Sequence, residues 1–351
     1  MSTAAGRRGS AALRPRPGAL LSGHSRGWWL KAAGFAAGLL VLVLAPTYLL
    51  LDSEQRTLSS VFMFVVLAQG WNLIGGFAGY PSFGNVVFFG LGGYTTAVLM
   101  AKAGAGFWIT LPAAAAIGVL FAVLMGIPIL RLKGHYFAVA TLGVAEGIRE
   151  VVINVGDLTG GNRGITVPAV GEKATTSYPG NTGFYFYFLA LAVASIVIVW
   201  WVARSRFGYS LKAISQDEEA AAAAGINTTR AKVVAFALSG MLTAMAGAIF
   251  AFQQVTIYPE RMFAVDITVL MVVMAVLGGA GTVFGPVIGA VALQYLSEWL
   301  RDNFPDYHTF VFGAIIVLAV LVVPMGIVNF TREAWQRKRI ALFEAVRQYR
   351  L

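Results

Sequence analysis

The chain has 351 residues, 58% hydrophobic and 12% charged, with a net charge of +10 and no cysteine. Soluble globular domains carry about 25% charged residues, so this composition excludes that class, and the missing cysteine excludes disulfides, iron–sulfur clusters and thiol chemistry. Runs such as residues 32–51 are apolar on every face instead of alternating, which excludes a membrane β-barrel and leaves spanning helices.

In chain order, residues 1–31 form a basic arm with six Lys or Arg. Apolar periodicity and length then predict helices at 32–51, 59–79, 84–101, 108–130, 135–154, 184–203, 232–254, 264–280, 282–299 and 308–329, followed by a basic tail over 331–351. The first apolar run is long for a signal peptide and lacks a clear cleavage site, so it reads as a retained helix. The fold class expected is all-α, a polytopic membrane protein of about ten transmembrane or re-entrant helices. Segments 84–101, 264–280 and 282–299 are the short, glycine-rich ones that could be re-entrant. Ten crossings place both termini on one side. That side then holds 19 of the 26 Lys and Arg, in the arm, the 131–133 link, residues 204–232 and the tail, and the positive-inside rule makes it cytoplasmic. Basic ends on an apolar chain fit anionic membrane lipid rather than nucleic acid. The domains expected are the arm, a transmembrane domain over 32–330 with a cytoplasmic loop at 204–231, and the tail.

Several polar or glycine-rich interruptions stand out within the apolar runs. Trp71 and Asn72 lie deep in the second helix, and Asn72 is either a polar interhelical contact or part of a pathway. "GYPSFGN", Gly79 to Asn85, contains the glycine and proline of a broken helix, whose freed backbone groups, with Ser82 and Asn85, could line a pore. Two clusters, "IGGFAGYPSFGNVVFFGLGG" from Ile74 and "LGGAGTVFGPVIGA" from Leu277, are similar to each other and read either as an internal repeat or as close helix packing. Glu146, Arg149 and Glu150 share one face of the fifth helix by their spacing, which fits a wet translocation lining or a structural ion pair. The adjacent glycines of "DLTGGNRGI", with Asp157, Thr159, Gly160 and Gly161, allow tight turns in an external loop. Trp28, Trp29 and Lys31, and Trp200, Trp201 and Arg204, read as interfacial anchors. Three scattered histidines offer no metal site, and the absence of a G-x-x-x-x-G-K-[ST] motif means that no P-loop ATPase site is present.

The central stretch "SQDEEAAAAAG" (215–225) is the most polar departure from the apolar pattern. Ser215 and Glu218 have capping-box spacing, Asp217, Glu218 and Glu219 suit the positive end of a helix, and Gly225 suits its stop. The expectation is a projecting cytoplasmic helix of about nine residues, on the order of 14 Å long. Such a helix is marginal in water, so it either docks on something or is no more than a solvated connector.

"EAAAAAG" resembles the coupling loop of bacterial ABC importer permeases, although the general fingerprint continues Ile-x-Leu-Pro where this chain has Ala-Phe-Ala-Leu at 235–238. "LRLKGHYFAVATLGVAEGIREVVINVGDLTGGNRGI", "LKAISQDEEAAAAAGIN", "KVVAFALSGMLTAMAGAIFA" and "VVMAVLGGAGTVFGPVIGA" together resemble the LivM-type permeases of branched-chain amino acid importers over roughly residues 60–325, departing at "VPMGIVNF". The resemblance implies a bacterial inner-membrane permease with no chemistry of its own. Its implied partners are a LivH-type second permease, two cytoplasmic ATPase subunits that use ATP and Mg, and an extracytoplasmic binding protein. No cofactor is expected in this chain. Asp217, Glu218, Glu219, Ala220, Ala221 and Gly225 would contact the ATPase, while Glu146, Arg149, Glu150, Asn72, Ser82 and Asn85 would serve the pathway. Importers of urea or short amides use similar permeases, and an ion-coupled carrier with Glu146 or Glu150 as proton acceptor is the alternative of a different class.

Overall fold

The computed structural model describes residues 38, 40–46, 50–168, 176–322, 326 and 328. The basic arm, the Trp28–Trp29 pair, the tail and half of the helix expected over 32–51 lie outside the described residues. The chain divides into a unit Met1–Leu50, in which 40–46 are helical, and a unit Leu51–Leu351 that contains the remaining elements.

In the larger unit, α1 (Asp52–Trp71) continues into a wide helical turn at Asn72–Phe77. There follow α2 (Val86–Ala103), α3 (Phe107–Ile129), α4 (Gly134–Asn154) and α5 (Gly180–Arg204). Two short helices, α6 (Arg206–Gln216) and α7 (Glu218–Ala223), precede α8 (Thr228–Gln254), α9 (Val265–Gly279), α10 (Gly285–Asn303) and α11 (His308–Val322). Strands β1 (Ile165–Thr166) and β2 (Thr256–Ile257) pair antiparallel, with Ile165 opposite Ile257. The protein is therefore an all-α polytopic membrane protein. Among the described residues, six segments are long and apolar enough to cross a membrane: Asp52–Phe77, Val86–Ala103, Phe107–Ile129, Gly180–Arg204, Thr228–Gln254 and Pro259–Gly279. That is fewer than the ten expected. Charge separates two of the other helices from this set, since α4 contains Glu146, Arg149 and Glu150, and α10 contains Glu298, Arg301 and Asp302.

Small residues decide how closely the central helices approach. A Cβ placed on Gly92 of α2 would sit 2.0 Å from the Ala244 carbonyl oxygen of α8, and one on Gly118 of α3 would sit 2.6 Å from that of Gly240. Backbone therefore meets backbone along α8, which buries Ala235, Ser239, Gly240, Ala244, Gly247 and Ala248 there. The antiparallel helices α3 and α8 mark the two ends of the unit. Phe107 stacks on Phe252 at 4.6 Å at one end, and the Leu130 carbonyl accepts from Lys232 Nζ at 2.8 Å at the other.

Both glycine breaks lie at the Lys232 end. Gly75-Gly76, Ala78-Gly79 and Phe83-Gly84 match Gly278-Gly279, Ala280-Gly281 and Phe284-Gly285. Gly79 and Gly281 share the left-handed conformation, with φ of 74° and 72°. At the far end of the same helices, Thr57 Oγ1 donates to Glu298 Oε1 at 3.4 Å. The pairs α1/α2 and α9/α10 thus run in the same sense, each turning back at its break. The two clusters are both a structural repeat and a packing device, because Gly281 seats against the backbone of Gly76, 2.9 Å from its carbonyl oxygen to the Cβ position of Gly281.

Candidate functional sites

The central polar stretch folds differently from its expected capping pattern. Ser215 does not start a helix. It belongs to the last turn of α6, where its hydroxyl donates to the Lys212 carbonyl. The cap of α7 is Asp217, whose carboxylate accepts from the Glu219 and Ala220 amides at 2.9 and 3.0 Å. The correction has a physical cause: Asp217 reaches the orphan amides over a shorter span, and the Glu218 side chain is drawn away to Lys232 instead of folding back onto the cap. The helix is consequently six residues long rather than about nine. Gly225, with φ of 87°, ends it as expected, and the Ile226 amide closes back on the Ala221 carbonyl at 3.1 Å.

Preceding α7, α6 was not foreseen as a helix. Ser205 caps it by accepting from the Gly208 amide, and Gly208, Leu211 and Ile214 fall on one buried face. Together α6 and α7 lie against the end of the bundle, with Ala221 also buried. Of the predicted coupling residues, Asp217, Glu219, Ala220 and Gly225 are exposed, while Ala221 packs inward.

Glu218 turns toward the bundle. Its carboxylate takes 2.6 Å from Lys232 Nζ and also accepts from the Tyr80 hydroxyl. Lys232 Nζ donates as well to Tyr80 Oη at 2.9 Å and to the Leu130 carbonyl at 2.8 Å. The Lys232 side chain is 4% exposed and that of Glu218 19%. Burial works against charge on Glu218, yet hydrogen bonds from Lys232 and Tyr80 outweigh it and hold the carboxyl below its ordinary range. Burial, reinforced by Glu218, raises the Tyr80 hydroxyl well above the usual phenol range. Beside this cluster the Lys133 ammonium meets Glu219 at 3.1 Å on the surface, and that hydrogen bond raises the lysine. Sequence reading missed Tyr80 and Lys232. The available signal was a lysine near the start of an apolar helix close after a run of acids, but nothing in the sequence paired it with a tyrosine 152 positions earlier.

The pathway candidates separate into two groups. Asn72 is fully buried; its amide donates to the Thr282 carbonyl and its oxygen accepts from the Gly281 amide, both at 2.8 Å, so it ties the first break to the second. Ser82 and Asn85 are buried in the first break. The Ser82 carbonyl accepts from Trp71 Nε1, and Asn85 Nδ2 donates to Ser239 Oγ at 2.9 Å. Asn85 Oδ1 and Thr243 Oγ1 are buried without a hydrogen-bond partner. The charged trio sits elsewhere, on the partly exposed face of α4, where Arg149 bridges Glu146 at 3.0 Å and Glu150 at 3.3 Å. No hydrogen bond or ion pair joins it to Asn72, Ser82 or Asn85 among the described residues. Along the same face Gly143 and Gly147 have open space around them, and Tyr136, Val139 and Val151 are exposed.

The expected external loop turns tightly. Gly160, Gly161 and Gly164 all have positive φ, and a Cβ on Gly160 would lie 2.0 Å from the Gly164 carbonyl oxygen. Thr159 is buried and donates to the carbonyls of Val152 and Val155, fastening the loop to the end of α4, while Asp157 is exposed. Pairing of β1 with β2 then holds the loop beside the end of α8. Trp200 and Trp201 are exposed, with the Arg204 guanidinium 4.3 Å from the centre of the Trp200 ring.

The sequence profile of the family described as "Branched-chain amino acid transport system / permease component" matches residues 55–320, from the first turn of α1 into α11. The chain belongs to this permease family. The permease is 30% identical over 327 residues to the high-affinity branched-chain amino acid transport system permease protein LivM of Escherichia coli, covering 86% of this chain and 76% of that one. It is 24% identical over 289 residues to the LivH permease protein of the same system in Escherichia coli, covering 76% and 91%. It is also 30% identical to the ribose import permease protein RbsC of Bacillus subtilis over 179 residues, covering 46% and 55%. No solved structure matches the permease. The matched region contains both glycine breaks and every residue around Lys232.

Proposed function

We propose that this permease is the LivM-type transmembrane subunit of an ATP-binding cassette importer for branched-chain amino acids, paired with a LivH-type permease. The carrying observation is family membership over 55–320 together with identity to LivM across most of both chains. In this reading about ten helices span or enter the bacterial inner membrane, and both termini and the Lys232 end are cytoplasmic, in keeping with the distribution of Lys and Arg. Two ATPase subunits supply ATP hydrolysis, and an extracytoplasmic binding protein delivers the substrate at the end that carries β1 and β2.

The exposed surface of α7, with Asp217, Glu219 and Ala220, receives the ATPase. Closure of the ATPase pair moves α6 and α7, and the pathway changes its access. The open face of α4 turns toward the partner permease, because intramembrane charges such as Glu146, Arg149 and Glu150 need a polar cavity or a protein neighbour rather than lipid. Asn72, Ser82 and Asn85 belong to the glycine breaks that must rearrange as the pathway alternates.

Labelled leucine uptake in a strain lacking only this chain, with and without a plasmid copy, tests the substrate. Uptake that disappears and returns supports the reading, and unchanged uptake in the absence of a redundant system replaces leucine with urea or a short amide. Glu219→Lys reverses a charge on the docking surface, and the expected result is normal membrane level with leucine uptake reduced by about tenfold or more. Normal uptake at normal membrane level would refute the docking assignment.

A further inference from the structure

The Lys232 cluster joins three parts of the chain that are remote in sequence. Glu218 belongs to α7, Tyr80 to the first glycine break, and Leu130 to the end of α3; Glu218 and Tyr80 are 138 positions apart. An ammonium group has three protons, and Lys232 has three acceptors around it, the Glu218 carboxylate, the Tyr80 hydroxyl and the Leu130 carbonyl. Its position is therefore fixed in three directions. Its methylene stem also places the ammonium 4.5 Å from the centre of the Tyr80 ring.

We infer that Lys232 is a positioning residue for transport: from the start of α8 it carries displacement of α7 through Tyr80 into the first glycine break by side-chain bonds, in parallel with the covalent link from α7 into α8. The inference rests on the proposed role of α7 as the receiver of the ATPase stroke. A buried cation must follow its counter-ion, since leaving either charge unpaired in a dry environment costs more than moving the segment attached to it. By contrast, the neighbouring Lys133–Glu219 pair is exposed and can separate into water without dragging any element along.

The receiving segment is built to yield. Gly79, next to Tyr80, holds φ of 74°, and the position of its missing Cβ is 3.2 Å from the Ser215 Cα of α6. Motion of the α6–α7 pair therefore meets the break at two adjacent residues, by contact at Gly79 and by hydrogen bonding at Tyr80. Beyond the break, Asn72 and Gly76 touch Gly281, so the displacement reaches the second break without passing through any further loop.

The test uses the complete importer, reconstituted in liposomes with its partner permease, ATPases and binding protein, and measures leucine taken up per ATP hydrolysed. This ratio does not depend on how much complex is folded, so a purely structural role leaves it unchanged. Tyr80→Phe deletes one oxygen and is expected to lower the ratio about threefold while ATP hydrolysis continues; Lys232→Met is expected to lower it about tenfold. Two members of one linkage are not independent, so the double variant is expected to be no worse than Lys232→Met alone. A parent-like ratio in Tyr80→Phe overturns the inference, even if Lys232→Met fails to assemble, and so does a double variant whose loss is the product of the two single losses. Failure of the unmodified chain to assemble with an ATPase would instead overturn the proposed function, and this is seen before any variant is compared.

Discussion

The two glycine breaks have nearly the same skeleton and different attachments. Both turn a helix back at the Lys232 end through an Ala-Gly step whose glycine is left-handed, followed by a Phe-Gly step. The first break is tied outward, to α7 and α8 through Tyr80, to α4 through the Phe83 amide on Thr141 Oγ1, and to α9 through the Val86 amide on Thr268 Oγ1. The second closes largely on itself, with Thr282 bonded to Gly279 and Gly285, is gripped by Gln69 of α1 and by Asn72 of the turn that follows it, and packs at Gly279 against Gly326 and Val328. One backbone motif therefore serves as an input in one copy and as a follower in the other. The difference lies in the side chains around each break and not in the glycines.

Four substitutions test that contrast. The largest effect is expected for Asn72→Leu, which has similar bulk but leaves the partly buried Gly281 amide and Thr282 carbonyl without their partner; destabilisation of about 3 kcal/mol follows from two such groups. Unfolding in mixed detergent and denaturant reads it out, and an unshifted midpoint would show that the grip on the second break carries no energy. Next come Gly79→Ala and Gly281→Ala, each expected to cost about 2 kcal/mol for a side chain at positive φ. They should differ in coupling, since Gly79 adjoins Ser215 of α6 while Gly281 adjoins Gly76 of the other break. Equal uptake per ATP in the two variants would erase the distinction between input and follower. The smallest effect is expected for Lys133→Ala, whose exposed partner leaves stability within about 0.5 kcal/mol. A loss comparable to that of Asn72→Leu would mean that surface pairing, and not the buried cluster, secures α7.

The sequence made the helices legible because lipid imposes length and apolarity on each, and the ranges 108–130 and 135–154 agree with α3 and α4 to within one residue at either end. The turn at Gly160 and Gly161 and the stop at Gly225 were legible for a local reason, since glycine serves where φ is positive. The start of α7 was not. Ser215 and Asp217 are both good caps by composition, and only the pull of Lys232 on Glu218 decided between them. α6 escaped notice because its buried stripe of Gly208, Leu211 and Ile214 is shorter than any membrane run and has meaning only against the bundle end.

Sequence alone thus determined the membrane class, the family, the central polar helix and the presence of two matching glycine clusters, because each depends on composition or on residues within a few positions of one another. Tertiary structure decided that the two clusters touch, that Asn72 grips the second break, and that Glu218 faces inward to Lys232 and Tyr80. Those facts depend on burial and on partners between 14 and 210 positions apart, where the cost of an unpaired polar group outside water selects the contact and no local pattern records it.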